Sequence, residues 1–160
     1  MKTTRIFSRA FFAGMLLSTA LLVTSCDKDD DDIDDEQTYT LSGDASGAQE
    51  SPAVTTAATG SLTGTYNSRT NNLDYTINWT GLSGLSTAAH FHGPAAAGSN
   101  AAVIADISLT TNGISGQAKG NVTLSDADEE RLLNGQIYYN IHTTANADGE
   151  IRGQAIATKD

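Results

Sequence analysis

The sequence predicts an all-β fold, an antiparallel β-sandwich with one short helix, and three features of residues 38–160 support this prediction. The segment is rich in Gly, Thr, Ser, Asn and Ala, which is typical of short strands joined by tight turns. Apolar and polar residues alternate along 73–79 (LDYTINW), the two-residue period of a strand with one buried face. Pairs with turn chemistry (NN, NG and DG) separate several such runs.

The first 25 residues have the order of a secretory signal peptide. Lys2, Arg5 and Arg9 precede an uncharged run of 14 residues, 10–23, and small residues follow it. A helix needs about 20 apolar residues to cross the hydrocarbon core of a bilayer, so a permanent transmembrane span is the weaker interpretation. We expect residues 1–25 to be removed during export.

Cys26 is the expected site of lipid attachment. The sequence VTSC at 23–26 resembles the bacterial lipobox, in which small residues precede a cysteine that is acylated before cleavage. Cys26 is the only cysteine of the chain, so an internal disulfide is excluded and the core alone must stabilise the fold. Two or three acyl chains on one cysteine are sufficient for stable membrane anchoring.

Residues 26–37 form an acidic tether between this anchor and the folded region. Eight acidic residues and one lysine lie between Asp27 and Glu36, and such a block repels itself and stays extended. The sequence KDD directly after Cys26 resembles the export signal that sends Bacteroidetes lipoproteins to the outer face of the outer membrane. We therefore expect an outer-membrane lipoprotein displayed on the cell surface, with a periplasmic location as the alternative.

The folded region, 38–160, has the size of one domain. Its residues carry a net charge near −6, which argues against nucleic acid as a partner. Besides 73–79, with Leu73, Tyr75, Ile77 and Trp79 facing the core, we expect strands at 38–43, 60–66, 88–92, 101–108, 114–124, 136–143 and 149–157. That many strands fit two packed sheets, as in an immunoglobulin-like or superoxide-dismutase-like sandwich.

The segment 125–135 breaks the β pattern and predicts a short helix. Ser125 has the chemistry of an N-cap, Asp128 follows three residues later, and the segment ends with Asn-Gly. The early acidic residues lie at the positive end of the helix dipole. Leu132 and Leu133 are expected to close one end of the sandwich.

Several ordered blocks of the folded region resemble the CHRD domain, which was first named in chordin. They are GAQE at 47–50 with Pro52 and Thr55, AHFHGPA at 89–95, LLNG at 132–135, YYNIHT at 138–143 and GEIRGQ at 149–154. In animals this domain occurs within an extracellular antagonist of secreted growth factors, and in bacteria it occurs in exported proteins. The resemblance therefore implies an extracellular β-rich module more than it implies any reaction.

All three histidines lie within these blocks and form a candidate metal site. On a strand, His90 and His92 point to the same face about 6.6 Å apart, with Phe91 on the other face. In the second block Tyr138, Asn140 and His142 share a face, so a neighbouring strand could bring His142 to the first pair. Three imidazoles commonly hold zinc or copper. Alternatively, each histidine bonds a backbone carbonyl or a carboxylate and fixes a turn.

Glu150, Arg152 and Gln154 alternate on one strand face. The simplest interpretation is a polar ladder across neighbouring strands, and a ligand-binding role for Glu150 and Arg152 is the alternative. We find no nucleophile in a recognisable setting, no phosphate-binding loop and no acid pair of the glycosidase type.

The sequence therefore leaves two functions open. The first is a non-catalytic extracellular module that binds a protein or a glycan. The second is a zinc or copper protein, with dismutase-like chemistry as one version, because a His-x-His pair on a β-sandwich is also found in copper-zinc superoxide dismutase. No cofactor beyond zinc or copper is expected.

Overall fold

A computed structural model describes residues 37–160, so the predictions for the signal peptide, for Cys26 and for all of the tether except Gln37 lie outside the described residues. Within these described residues the elements are nine strands, one helix and a single 3₁₀ turn at Gly47–Gln49. The strands are β1 (Thr38–Ser46), β2 (Thr59–Asn67), β3 (Asn72–Thr80), β4 (Ser86–His92), β5 (Val103–Asp106), β6 (Gly116–Thr123), β7 (Tyr138–Thr143), β8 (Ile151–Gln154) and β9 (Ile156–Lys159). The helix, α1, is Asp126–Leu133.

The strands form one antiparallel sheet in the order β5-β4-β7-β8-β1-β2-β3-β6, and β9 pairs with β1. Strands β1 and β8 are joined by a single residue pair, Ser46 with Arg152. At the other end of the order, a bridge between Leu109 and Ala118 brings the segment after β5 beside β6. The sheet is therefore nearly closed and barrel-like.

Every predicted segment contains a strand, with bounds that shift by one to three residues, and two segments differ more substantially from the prediction. The expected strand 101–108 is hydrogen-bonded as a strand only over Val103–Asp106. The expected strand 149–157 is two strands, because β8 pairs with β7 whereas β9 pairs with β1. Ala155 lies at this change of partner, where it is fully buried and its N–H donates to the carbonyl of Ile137 at 2.9 Å.

The alternation in β3 places its apolar residues as predicted. Leu73, Tyr75, Ile77 and Trp79 are each at most 4% exposed and belong to one hydrophobic core. Tyr75 packs edge-on against Phe91 of β4, with ring centroids 5.3 Å apart. Because β3 and β4 are far apart in the strand order, this contact crosses the interior and fixes the spacing between the two sides of the sheet.

Helix α1 begins as predicted, because the Ser125 hydroxyl accepts the Asp128 N–H at 3.2 Å. Leu132 is buried, but the prediction that Leu133 also closes the core is wrong, since Leu133 is 37% exposed. Consecutive residues of a helix point about 100° apart, so a two-turn helix that packs by one face buries only one of them. Among residues 37–160, no helix has both the length and the apolar character needed to span a bilayer.

Candidate functional site

The three histidines lie on the outer face of two adjacent strands, β4 and β7. The register between these strands pairs His90 with Asn140 and Ala88 with His142. Phe91, Tyr139 and Ile141 point the other way and are buried in the core. The alternation of the two strands therefore places all three imidazoles on one surface, as the sequence predicted.

Three nitrogens, one from each imidazole, all lie within 4.8 Å of one another. His90 Nδ1 is 2.9 Å from His142 Nε2, and the rings of His90 and His92 have centroids 5.6 Å apart. Both strands belong to the sheet, so the backbone that carries the rings is fixed by hydrogen bonds on both sides. The cluster is thus a rigid set of three nitrogen donors.

The other nitrogen of each ring faces an oxygen. His92 Nδ1 lies 3.1 Å from the Ala101 carbonyl oxygen, and His142 Nδ1 lies 2.9 Å from the Ala147 carbonyl oxygen. A carbonyl oxygen only accepts, so both Nδ1 atoms carry a proton, and neutral His142 keeps its lone pair on Nε2. The Nε2 atom of His92 instead faces the side-chain amide of Asn140. His90 Nε2 is 3.6 Å from a carboxylate oxygen of Asp106. Oxygen partners of this kind orient histidines that bind metals.

The local electrostatics favour neutral rings. Burial lowers the pKa of His90, and repulsion from His142 and His92 adds to this effect. Burial also lowers the pKa of His92, while its hydrogen bonds with Ala101 and Asn140 act in the opposite direction. Imidazole binds a metal through an unprotonated nitrogen, so both shifts make the two rings available as ligands near neutral pH.

A stack of side chains supports the cluster from one side. The Tyr138 ring lies parallel to the His92 ring, with centroids 4.7 Å apart and an angle of 3° between the planes. The Arg152 guanidinium covers Tyr138 at 4.1 Å from the ring centroid, within the range of a cation–π contact. Asn140 Oδ1 is 3.1 Å from His92 Nε2. His92 is therefore held by contacts on its face and at both of its nitrogens.

Arg152 pairs with Glu50, and the polar ladder expected with Glu150 is not formed. The Arg152 Nη2 to Glu50 Oε2 distance is 2.9 Å, and the two side chains are 5% and 3% exposed. Arg152 also donates to the Ser99 carbonyl and to the Asn100 side chain. Glu50 follows the 3₁₀ turn after β1, and β1 meets β8 at Arg152, which is why this remote carboxylate is the partner.

Glu150 lies in a separate, internally hydrogen-bonded site. It is 0% exposed, and its carboxylate accepts from the hydroxyls of Thr56, Ser83 and Thr143 and from the Ser83 N–H. Burial alone would raise the pKa of Glu150, but these hydrogen bonds outweigh it and lower the pKa. The carboxylate thus holds together the segments around 56, 83 and 143. Its role as a ligand-binding residue stays a prediction.

Sequence reasoning missed Glu50, Asp106 and the stacking role of Tyr138. GAQE at 47–50 is one of the blocks that resemble the CHRD domain, but nothing near Glu50 in the sequence indicates a partner about one hundred residues away. The period of β7 did place Tyr138 and Asn140 on the face of His142, and that pattern could have identified both as neighbours of the metal candidates.

The comparisons with known proteins agree with this geometry at the level of the family. Residues 41–155 match the CHRD domain, which is more than half of the chain and includes every residue of the histidine cluster. Neither the curated proteins nor the solved structures gave a significant match. The chain therefore belongs to the CHRD domain family.

Proposed function

We propose that this domain binds one zinc or copper ion through His90, His92 and His142. The observation that carries the proposal is the convergence of three ring nitrogens within 4.8 Å of one another on rigid neighbouring strands. The ligands are His92 Nε2, His142 Nε2 and His90 Nδ1. Three imidazole nitrogens suit zinc and copper better than magnesium or calcium, which prefer oxygen ligands.

Metal entry requires two adjustments of the cluster: the ligand nitrogens change their spacing, and His92 Nε2 exchanges its contact with Asn140 for the ion. Two nitrogens bound to one tetrahedral zinc ion are about 3.3 Å apart, given Zn–N distances of about 2.05 Å. His90 Nδ1 and His142 Nε2 are 2.9 Å apart, so they separate by about 0.4 Å when the ion replaces their shared proton. His90 is 22% exposed, which leaves a path for the ion and a position for a fourth ligand.

The test is metal binding by the full-length chain purified in detergent. We expect about one equivalent of zinc or copper per chain after dialysis, and a higher melting temperature with metal than with chelator. His142→Ala should weaken binding at least about tenfold, since it removes one of three ligands. Thr144→Ala, an exposed change two residues away, is the matched control. Absence of bound metal, or wild-type affinity in His142→Ala, would refute the proposal.

Dismutase-like chemistry is a narrower version of the metal function. It requires a redox-active copper ion with an open coordination position. A superoxide assay on the copper-loaded chain, with the zinc-loaded chain as control, separates this chemistry from storage or sensing. Equal rates for the two forms would leave metal binding as the function. We also propose that the fold is an immunoglobulin-like or superoxide-dismutase-like sandwich. This proposal is supported by the weak connection between β1 and β8, which are joined by a single residue pair.

The second candidate function is display of a non-catalytic binding module on the cell envelope, with an extracellular protein or a glycan as the ligand. It is supported by the CHRD family, by the lipobox sequence before Cys26 and by the acidic tether. Mass spectrometry of the native protein should find acyl chains on Cys26 and no residues before it. Protease treatment of intact cells should remove the domain if it is on the surface. Protection from protease would locate it in the periplasm.

A further inference from the structure

The outer face of β1, β2, β3 and β6 is covered almost entirely by hydroxyl and amide side chains. The outward positions are the even residues of 38–46 and 72–80 and the odd residues of 59–67 and 117–123. Of these nineteen residues, sixteen are Ser, Thr, Asn or Gln, and none is buried. The charged ones are Asp44, Asp74 and Lys119, so the face is close to neutral although the chain has a formal net charge of −10.

The register of the strands arranges these side chains in rows. One row runs Ser42, Thr63, Thr76 and Lys119 across the four strands, and the row beside it runs Asp44, Ser61, Asn78 and Gln117. Neighbouring strands are about 4.8 Å apart, and outward residues on one strand are about 6.8 Å apart. Hydroxyl and amide groups therefore repeat in two directions over the surface, each able to donate and to accept.

A shallow groove of about 600 Å³ lies at one end of this face, across β1, β2 and β3. Ser46, Ser61, Asn78 and Thr80 line it, and Gln49 forms part of its wall. The Gln49 side chain is held over the sheet by a 2.8 Å hydrogen bond to the Asp44 carbonyl. Gln117 Nε2 donates to Asn78 Oδ1 at 2.9 Å, which fixes the Asn78 amide beside the groove. The groove thus combines polar side chains, two of them held in place by these hydrogen bonds, with apolar lining atoms to which Ala45, Gly60 and Trp79 contribute.

We propose that this face, with the groove as its main site, binds a neutral polysaccharide chain. A polysaccharide presents hydroxyls that donate and accept at short regular intervals, which matches the chemistry of the rows. A strongly acidic polymer would be repelled by the net negative charge of the domain, and a protein partner would normally meet more apolar surface. The inference rests on the proposed envelope display function, and it does not involve the histidine cluster.

Single hydrogen bonds between neutral groups contribute little net affinity in water, so one domain is expected to bind weakly. Many lipid-anchored copies on one membrane would engage the same polymer together, and the linked contacts would raise the overall affinity without new contacts in any one domain.

The test is retention of the full-length chain, purified in detergent, on insoluble cellulose, chitin and starch, with heparin beads as the acidic comparison. We expect retention on at least one neutral polymer and none on heparin. Ser61→Lys places a long cation in the groove and should lower retention at least about fivefold, the loss that one hydrogen bond represents. Ser108→Lys, the same change at an exposed site outside the face, should bind as the wild type.

Melting curves of both variants establish that they are folded. No retention on any of the three neutral polymers, equal retention on heparin, or wild-type retention of Ser61→Lys would overturn the proposal. The proposal would also be overturned if the wild type sediments as a dimer and Ser61→Lys as a monomer, because the face would then bind a second copy of the chain. Retention on the polymer should persist in chelator and in His142→Ala, so failure of the polysaccharide proposal is distinguishable from failure of the metal proposal. Because retention is measured on purified protein, it is also independent of where the protein is located in the cell.

Discussion

His90 of β4 and His142 of β7 share one hydrogen bond, with Nδ1 of His90 2.9 Å from Nε2 of His142. Only one proton fits between the two nitrogens. Since His142 Nδ1 already donates to the Ala147 carbonyl, the shared proton comes from His90 when both rings are neutral. A second proton or a metal ion must break this bond, so protons and metal compete for the cluster.

The first prediction concerns pH. The pKa values of His90 and His92 are lowered in the folded state, chiefly by burial, so the unfolded chain binds more protons below about pH 6.5. The free energy of unfolding of the metal-free protein should therefore fall as the pH is lowered from 7 to 5.5. Urea denaturation in chelator at several pH values measures this. His92→Gln should show a weaker dependence over the same range, and an equal or stronger dependence would contradict the assignment.

The second prediction concerns the buried pair of Arg152 and Glu50. Arg152→Met leaves a carboxylate with almost no access to water and should cost about 3–5 kcal/mol of unfolding free energy. The double variant Glu50→Leu with Arg152→Met removes both charges and should recover most of that loss. Urea denaturation of the two variants and the wild type measures both effects. If the unfolding free energy of Arg152→Met is within about 1 kcal/mol of the wild-type value, the pair is not shielded from water and the prediction is wrong.

The third prediction concerns Glu150, whose carboxylate accepts four hydrogen bonds from three segments. An amide replaces one accepting oxygen with a donor, so Glu150→Gln should cost about 2–3 kcal/mol at pH 7. Because the pKa of Glu150 is lowered on folding, the cost should shrink as the pH falls below about 4.5, where the wild-type carboxylate is protonated on unfolding. Glu130→Gln, on the exposed side of α1, should change stability by less than about 0.5 kcal/mol.

The fourth prediction concerns the packing beneath the histidines. Phe91 lies between His90 and His92 in sequence, points into the core and packs against Tyr75. Phe91→Ala should cost about 3–5 kcal/mol by opening a cavity. It should also weaken zinc binding, because the strand that carries two ligands loses its support. Val103→Ala, at a residue that is 51% exposed, is the control and should affect neither thermal stability nor zinc titration appreciably.

The fold was predictable where it depends on a local alternation of apolar and polar residues. The alternation in 73–79 identified the core face of β3, and the same period placed His90 and His92 on one side of β4. That β7 lies beside β4 was not predictable, because strand order depends on contacts between remote parts of the chain. The same is true of Arg152 and Glu50, since any carboxylate would suit an arginine on sequence grounds.

The change of partner at Ala155 illustrates a second limit. Residues 149–157 look like one strand, since nothing in their polarity marks the position where pairing passes from β7 to β1. Only the closure of the sheet determines where this change of partner occurs. Likewise the exposure of Leu133 depends on which face of a short helix meets the core, and two adjacent leucines give no preference.

His90 and His142 lie 52 positions apart in the sequence, which has a consequence for how the protein would be supplied with metal. The coordination set does not exist in a linear polypeptide, and the export that we propose would carry the chain through the inner membrane in that state. Under that proposal, loading would begin only after translocation, so the ion acquired would reflect the supply outside the cytoplasm and not the cytoplasmic pool.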